Sequence, residues 1–196
     1  MDEPALIRDA KRGDLDAFNR LVLEYQDMLY NTAYRILGDP AHAADATQEA
    51  FISAFHRLTS YRGGSFKAWL LRIVTNACYD ELRRQKRRPT TPLEPLTEND
   101  DEMETPRWLA DSAASPEQQV ETLELEQAIQ NCIEALPPDF RAVVILTDMQ
   151  GLDYQEVAAA LKKPLGTIKS RLARARLRLR DCLQGVRELL PAAFRL

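Results

Sequence analysis

Four residues carry the most legible chemistry in this chain: Thr167, Ser170, Arg171 and Arg174. At roughly 100° per residue they share one face of a helix. Arginine can pair bidentately with a guanine edge, and hydroxyls can reach bases or phosphates. Lys169, Arg176 and Arg178 flank that face and suit phosphate contacts. From Lys162 to Arg180 there are eight basic residues and no acid, a local charge of +8. The chemistry on offer is recognition of a polyanion, not bond-making. A basic run alone reads equally well as a solvated helix face, so the elements that would position it decide.

Those elements are legible. Asp153-Tyr-Gln-Glu156 fits a capping box. A short helix from Tyr154 to Leu161 should bury Val157, Ala158 and Leu161. Lys162-Lys-Pro-Leu-Gly166 supplies a tight turn, and Thr167 is positioned to cap a second helix running to about Leu183. Ile168, Leu172, Ala175 and Leu179 fall on the side of that helix that must be packed. Capped helix, turn and acid-free helix together predict a helix-turn-helix over Asp153–Arg180, with its second helix in the major groove of double-stranded DNA.

The remainder reads as all-α. Apolar residues recur at spacings of three and four over Ala5–Lys11, Leu15–Leu37, Ala41–Leu58 and Phe66 to about Arg87. Gly38-Asp39-Pro40 stops one helix and starts the next, and Ser65 is positioned to cap the last. Trp69 falls among the apolar positions beside Leu70 and Ile73 and is expected in the core. Arg62–Arg88 carries a local charge of +6, and Glu94–Glu126 carries −10, so the net −4 hides two basic patches and an acidic bridge. The acidic stretch is proline-broken and aperiodic, too poor in apolar residues to offset its ordering entropy. The expected architecture is two small helical domains, 1–91 and 119–196, joined by a flexible acidic linker, 92–118.

Several function classes are disfavoured. No run approaches the length of a membrane span, and Met1-Asp-Glu-Pro lacks the basic and apolar regions of a secretory signal, so a cytoplasmic protein is expected. Cys78, Cys132 and Cys182 form no CxxC, and with only His42 and His56 beside them no metal site is expected. The three are read as small buried helix residues. Gly63-Gly64 lacks the pattern of a phosphate-binding loop, and no histidine sits in a catalytic constellation. Neither catalytic residues nor a cofactor are expected.

The helix-turn-helix follows Ala135-Leu-Pro-Pro-Asp-Phe-Arg-Ala-Val-Val-Ile-Leu146. That string, with Gly151-Leu-Asp-Tyr-Gln-Glu-Val-Ala158 and Gly166-Thr-Ile-Lys-Ser-Arg-Leu-Ala-Arg-Ala-Arg176, resembles region 4 of bacterial sigma factors of the extracytoplasmic-function type. The resemblance implies binding to the promoter −35 element and to the flap of the RNA polymerase β subunit. Asp45-Ala-Thr-Gln48-Glu49-Ala-Phe51 resembles the DxxQExF pattern of sigma region 2, which docks on the β′ clamp helices. Asp45, Gln48 and Glu49 share one helical face and can meet arginines of a partner helix. Phe51 and Phe55 are expected in the core. The block from Tyr61 to Arg84 resembles regions 2.3 and 2.4, which read and open the −10 element. Arg62, Ser65, Lys67, Arg72, Asn76, Tyr79 and Arg83 are then the candidates for that role, with Asn76 at a position implicated in base reading. The resemblance implies that regions 1.1 and 3 of larger sigma factors are missing and that the acidic stretch takes their place. It would thread the basic RNA path of the polymerase or serve as a plain tether. The family is usually held inactive by an anti-sigma factor, which implies such a partner here.

Two other readings stand beside this one. A DNA-binding regulator that is no polymerase subunit would explain residues 153–180 and leave the DxxQExF helix and the first basic block unexplained. An enzyme has no support in the residues.

Overall fold

The computed structural model describes residues 2–87 and 116–189, and every regular element among them is helical. The first group has four helices: α1 Glu3–Lys11, α2 Leu15–Leu37, α3 Pro40–Arg57 and α4 Phe66–Arg87, with a short 3₁₀ turn Leu58–Ser60 before the last. Their ends are set by local chemistry. The carboxylates of Asp2, Asp14 and Asp39 accept the backbone N–H of Ala5, Ala17 and His42. The Ser65 hydroxyl accepts that of Ala68 at 3.1 Å. Each meets a donor that the helix leaves unpaired. Gly38 ends α2 in the left-handed region, φ +77°.

The core of this group explains why α3 sits deep between its neighbours. Ala43, Ala46, Ala50 and Ala54 form its buried stripe, so backbones can approach closely. Leu21, Leu29 and Ile36 of α2 and Phe66, Leu70, Leu71 and Val74 of α4 fill the space around it. Trp69 packs against this core, stacked on Phe66 with centroids 5.4 Å apart, as its neighbours in sequence suggested. Phe51 also packs there. Phe55 does not follow its expected burial: it lies 39% exposed, resting edge-on against Phe18.

The second group comprises α5 Pro116–Glu134, α6 Pro138–Val144, α7 Tyr154–Leu161 and α8 Leu165–Gly185. A π-type turn, Ile145–Met149, continues α6 and ends at Gly151, φ +70°. Of the expected linker, residues 92–115 lie outside the described residues, and Pro116 already opens α5. The cysteine expectation needs correction. Cys78 is buried with a free thiol, but Cys132 of α5 and Cys182 of α8 are joined in a disulfide, Cα atoms 5.8 Å apart. Fifty residues separate them, so helical periodicity could not show that their faces meet.

The two groups pack on each other through one contiguous apolar cluster, with α4 against α7 and α2 against α5 and α6. A polar junction forms where α2 ends. Arg141 of α6, buried, donates to the carbonyls of Ile36, Glu134 and Leu136. Gln130 of α5, 1% exposed, accepts from Arg35 at 3.0 Å and donates to Glu134 at 2.7 Å. A helix C-terminus leaves carbonyls unpaired, and here side chains of the second group meet them.

Candidate nucleic-acid and polymerase interfaces

The helix-turn-helix is built from its caps. Asp153 Oδ1 accepts from the N–H of Gln155 and Glu156 at 2.7 and 2.8 Å, and the Glu156 carboxylate returns to the N–H of Asp153 at 3.0 Å. This is the expected capping box. The helix it opens buries Val157 and Ala160, with Ala158 and Leu161 only partly covered. The turn differs from expectation. Lys162, not a glycine, takes the left-handed conformation at φ 52°. The next helix starts at Leu165, so Gly166 lies within it, and Thr167 is no cap. The Pro164 carbonyl accepts from Thr167 and Ile168, and no side chain caps the helix. Proline cannot donate, so it sits naturally at this boundary.

Helix α8 buries Ile168, Leu172 and Ala175 as its spacing predicted, with Leu179 packed at the edge. The opposite side offers Lys169, Ser170 and Arg174 to solvent. Thr167 is half-buried. The remaining cations are already engaged. Arg171 pairs with Asp139 of α6 at 2.7 Å. Arg176 grips Asp148 with two bonds of 2.9 and 2.6 Å, which hold its guanidinium above the ordinary arginine range. Arg178 lies 5.3 Å from the Phe140 ring centroid, a cation–π distance.

A second candidate surface lies on α3. Asp45, Gln48 and Glu49 are all exposed on one face. They line a groove of about 520 Å³ whose other wall is α4, with Asp80, Glu81 and Arg84. Ile52, 45% exposed, completes the stripe one turn after Gln48. Ile52 and the α4 wall lie outside the expected set. The signal for Ile52 was present: it continues the i, i+3, i+7 spacing from Asp45. The α4 wall requires tertiary structure to see.

The third candidate surface is the loop before α4 and that helix's outer face. Arg62, Gly63, Gly64 and Ser65 are exposed, and both glycines have φ above +90°. The Tyr61 hydroxyl donates to the Gly64 carbonyl at 2.6 Å and pins the loop. Arg72, Asn76, Tyr79 and Arg83 follow on α4 at helical spacing. Asn76 is exposed, Arg72 half-buried, and Arg83 pairs with Asp80. Lys67 donates to the Gln150 carbonyl at 2.6 Å, at the end of the π-type turn. Tyr79 faces Asp139 at 3.4 Å; burial, then that carboxylate, push its hydroxyl above the ordinary range. A groove of about 680 Å³ beside the loop is lined by Arg8, Lys11 and Arg12 of α1, which local pattern did not connect to residue 62.

The geometry thus holds an acidic groove between α3 and α4 and basic surfaces on α4 and α8. Residues 21–88 match the family model described as Sigma-70 region 2, and residues 126–179 match Sigma-70, region 4. The sigma-H factor of Pseudomonas aeruginosa is 36% identical over 91% of this chain and 92% of its own length. The chain belongs to the extracytoplasmic-function sigma factors. Sigma factor SigW of Bacillus subtilis is 35% identical over 92% of this chain and 96% of its own. SigE of Mycolicibacterium smegmatis is 39% identical over 86% of this chain, which spans 62% of that longer relative. Among solved structures, the sigma factor RpoE of Bartonella quintana, in complex with the anti-sigma factor NepR, matches 85% of this chain and 96% of its own. It does so with TM-score 0.63 and 25% identity. CnrH, in complex with the cytosolic domain of CnrY, shares the fold with TM-score 0.64 and 24% identity. Among the described residues no helix of this sigma factor is long and apolar enough to cross a membrane.

Proposed function

We propose that this sigma factor binds core RNA polymerase and directs it to promoters. The observation that carries the reading is the pairing, on one chain, of an exposed acidic face with a helix-turn-helix. The acidic face is Asp45, Gln48 and Glu49. A regulator that acted through DNA alone would need no such face. In this reading α3 docks on the β′ clamp helices, and α8 reads the double-stranded −35 element through Thr167, Ser170, Arg171 and Arg174. Lys169, Arg176 and Arg178 hold phosphates, and the second helical group also meets the β flap. The loop Arg62–Ser65 and the α4 positions Lys67, Arg72, Asn76, Tyr79 and Arg83 read the melted −10 element. The protein works in the cytoplasm, and an anti-sigma factor holds it inactive, a role supported by the complex of the relative RpoE with NepR.

The arrangement is an unengaged one. Lys67, Tyr79 and Arg171 have internal partners, so promoter DNA must displace them. The test is co-purification with core polymerase followed by run-off transcription on selected promoters. Promoter-dependent transcripts that vanish with Asp45→Arg and Glu49→Arg support the reading. DNA binding without any polymerase-dependent transcript would favour the regulator instead.

A further inference from the structure

We infer that Cys132 and Cys182 form a reversible dithiol–disulfide couple that clasps α5 to the promoter-reading helix α8. The two sulfurs are bonded across 50 residues of chain, with Cα atoms 5.8 Å apart, well inside the range a disulfide spans. Cys132 is 2% exposed. Cys182 is half-buried on the last turns of α8, so one sulfur of the pair can be reached by a small thiol. Cys78 lies in the other helical group, buried and unpaired. The inference rests on the promoter-directed reading in one respect. A protein that works on promoter DNA sits in a reducing compartment, where disulfides are rare and those that form are chiefly transient or sensing.

The position of the pair gives it a mechanical consequence. Cys132 lies between Gln130 and Glu134 on α5, the residues through which this helix meets the end of α2. Gln130 accepts from Arg35, and the Glu134 carboxylate lies where a side chain at Gly38 would begin. With the disulfide formed, α5 cannot leave α8, and the junction with α2 is held to the same unit. With it open, α5 is kept by packing and by polar contacts such as these.

The chemistry balances with a low-molecular-weight disulfide such as oxidised glutathione. The Cys182 thiolate attacks one of its sulfurs, forms a mixed disulfide and releases a glutathione thiolate. The Cys132 thiolate then attacks the Cys182 sulfur, closes the protein disulfide and releases the second glutathione thiolate. Two electrons pass from the pair to the oxidant, and the two protons lost by the cysteines end on glutathione. Reduced glutathione runs the same steps backward.

The test uses the full chain equilibrated in buffers of varied reduced-to-oxidised glutathione ratio. Each sample is acid-quenched, and the three cysteines are read by differential alkylation and mass spectrometry. Cys132 and Cys182 should change together along one two-electron curve, reached from both directions, with Cys78 reduced throughout. Hydrogen exchange of the α5 amides should quicken at least tenfold on reduction of the wild-type protein. The Cys132→Ser/Cys182→Ser variant should show the fast rate in both buffers. A pair that never oxidises, one that glutathione cannot reduce, or equal α5 exchange in both states would each overturn the inference. None of these readouts uses polymerase or DNA. A reversible pair in a chain that fails run-off transcription would leave the clasp standing and remove only the promoter role.

Discussion

Asp139→Asn should make this sigma factor bind its −35 duplex more tightly. Asp139 Oδ2 lies 2.7 Å from the Arg171 guanidinium, with the two side chains 46% and 21% exposed. A pair this close but partly solvated contributes about 1 kcal/mol after screening. Arg171 must leave that carboxylate to reach DNA, so the same amount opposes binding. Asparagine keeps the shape and removes the charge. At 1.4 kcal/mol per tenfold, affinity should rise about fivefold. The Tyr79 hydroxyl also faces Asp139, but at 3.4 Å that bond is long and adds little.

Removing any acid near DNA raises affinity through net charge alone, so the assay must separate the two effects. Fluorescence anisotropy with a −35 duplex at fixed salt, run on wild type, Asp139→Asn, Arg171→Ala and the double variant, forms a double-mutant cycle. The fivefold gain should shrink to the small charge effect when Arg171 is absent. If Asp139→Asn gains as much in the Arg171→Ala background, or gains nothing in the native one, Arg171 is not held back by Asp139 and the reasoning fails.

Arg174→Ala should cost about 1–3 kcal/mol on the preferred duplex and relax its sequence preference, measured by competition between duplexes. Lys169→Ala should weaken all duplexes alike and lower the slope of log K against log salt by about one. Gly38→Ala should destabilise the fold by about 1–2 kcal/mol from its left-handed backbone alone, φ +77°. A further loss should come from a Cβ placed 2.5 Å from the Glu134 carboxylate; chemical denaturation in a Glu134→Ala background should recover only that further part. Burial pushes the Cys78 thiol up to about 12. An unfolded thiol ionises near pH 8.5, so stability from this site is complete below that pH and is lost as pH rises toward 12. Urea midpoints measured from pH 8 to 11 should fall less steeply in Cys78→Ala.

Much of this molecule is legible locally because its helix ends are local chemistry. Asp14, Asp39, Ser65 and Asp153 each cap within three residues, so a window of four letters shows where a helix begins. The acidic face of α3 and the packed side of α8 follow from helical period alone. What the window cannot show is which outward residue will meet another group. No local pattern marks Arg141, yet it is buried and shares its protons among three carbonyls. Thr167 reads as a cap because threonine often is one. The turn instead places Lys162 in the left-handed region and lets the Pro164 carbonyl open the helix, shifting the start to Leu165. Cys132 and Cys182 look like separate small residues until α5 and α8 are laid side by side.

The junction between the two helical groups explains how a closed form can also be a working one. Much of its specificity is polar: Arg141 on the Ile36 carbonyl, Gln130 on Arg35, and Lys67 on the Gln150 carbonyl. Water can replace each of these partners once the groups part, so even with its charged donor each contributes only about 1.5–3 kcal/mol net. A junction of that kind fixes one register of packing without making it permanent. Lys67 sharpens the point, because the same ammonium is a candidate for the −10 strand and a latch on the second group. It cannot hold the Gln150 carbonyl and a phosphate with the same protons. In the proposed reading, DNA arriving at α4 takes Lys67 from the Gln150 carbonyl and so loosens the grip on the second group, and a duplex at α8 draws Arg171 from Asp139 within that group. A ligand shifts such an equilibrium only by its differential affinity for the two forms. Contacts at two ends of one promoter, one taking Lys67 from the junction and the other Arg171 from its partner Asp139, would supply that difference together.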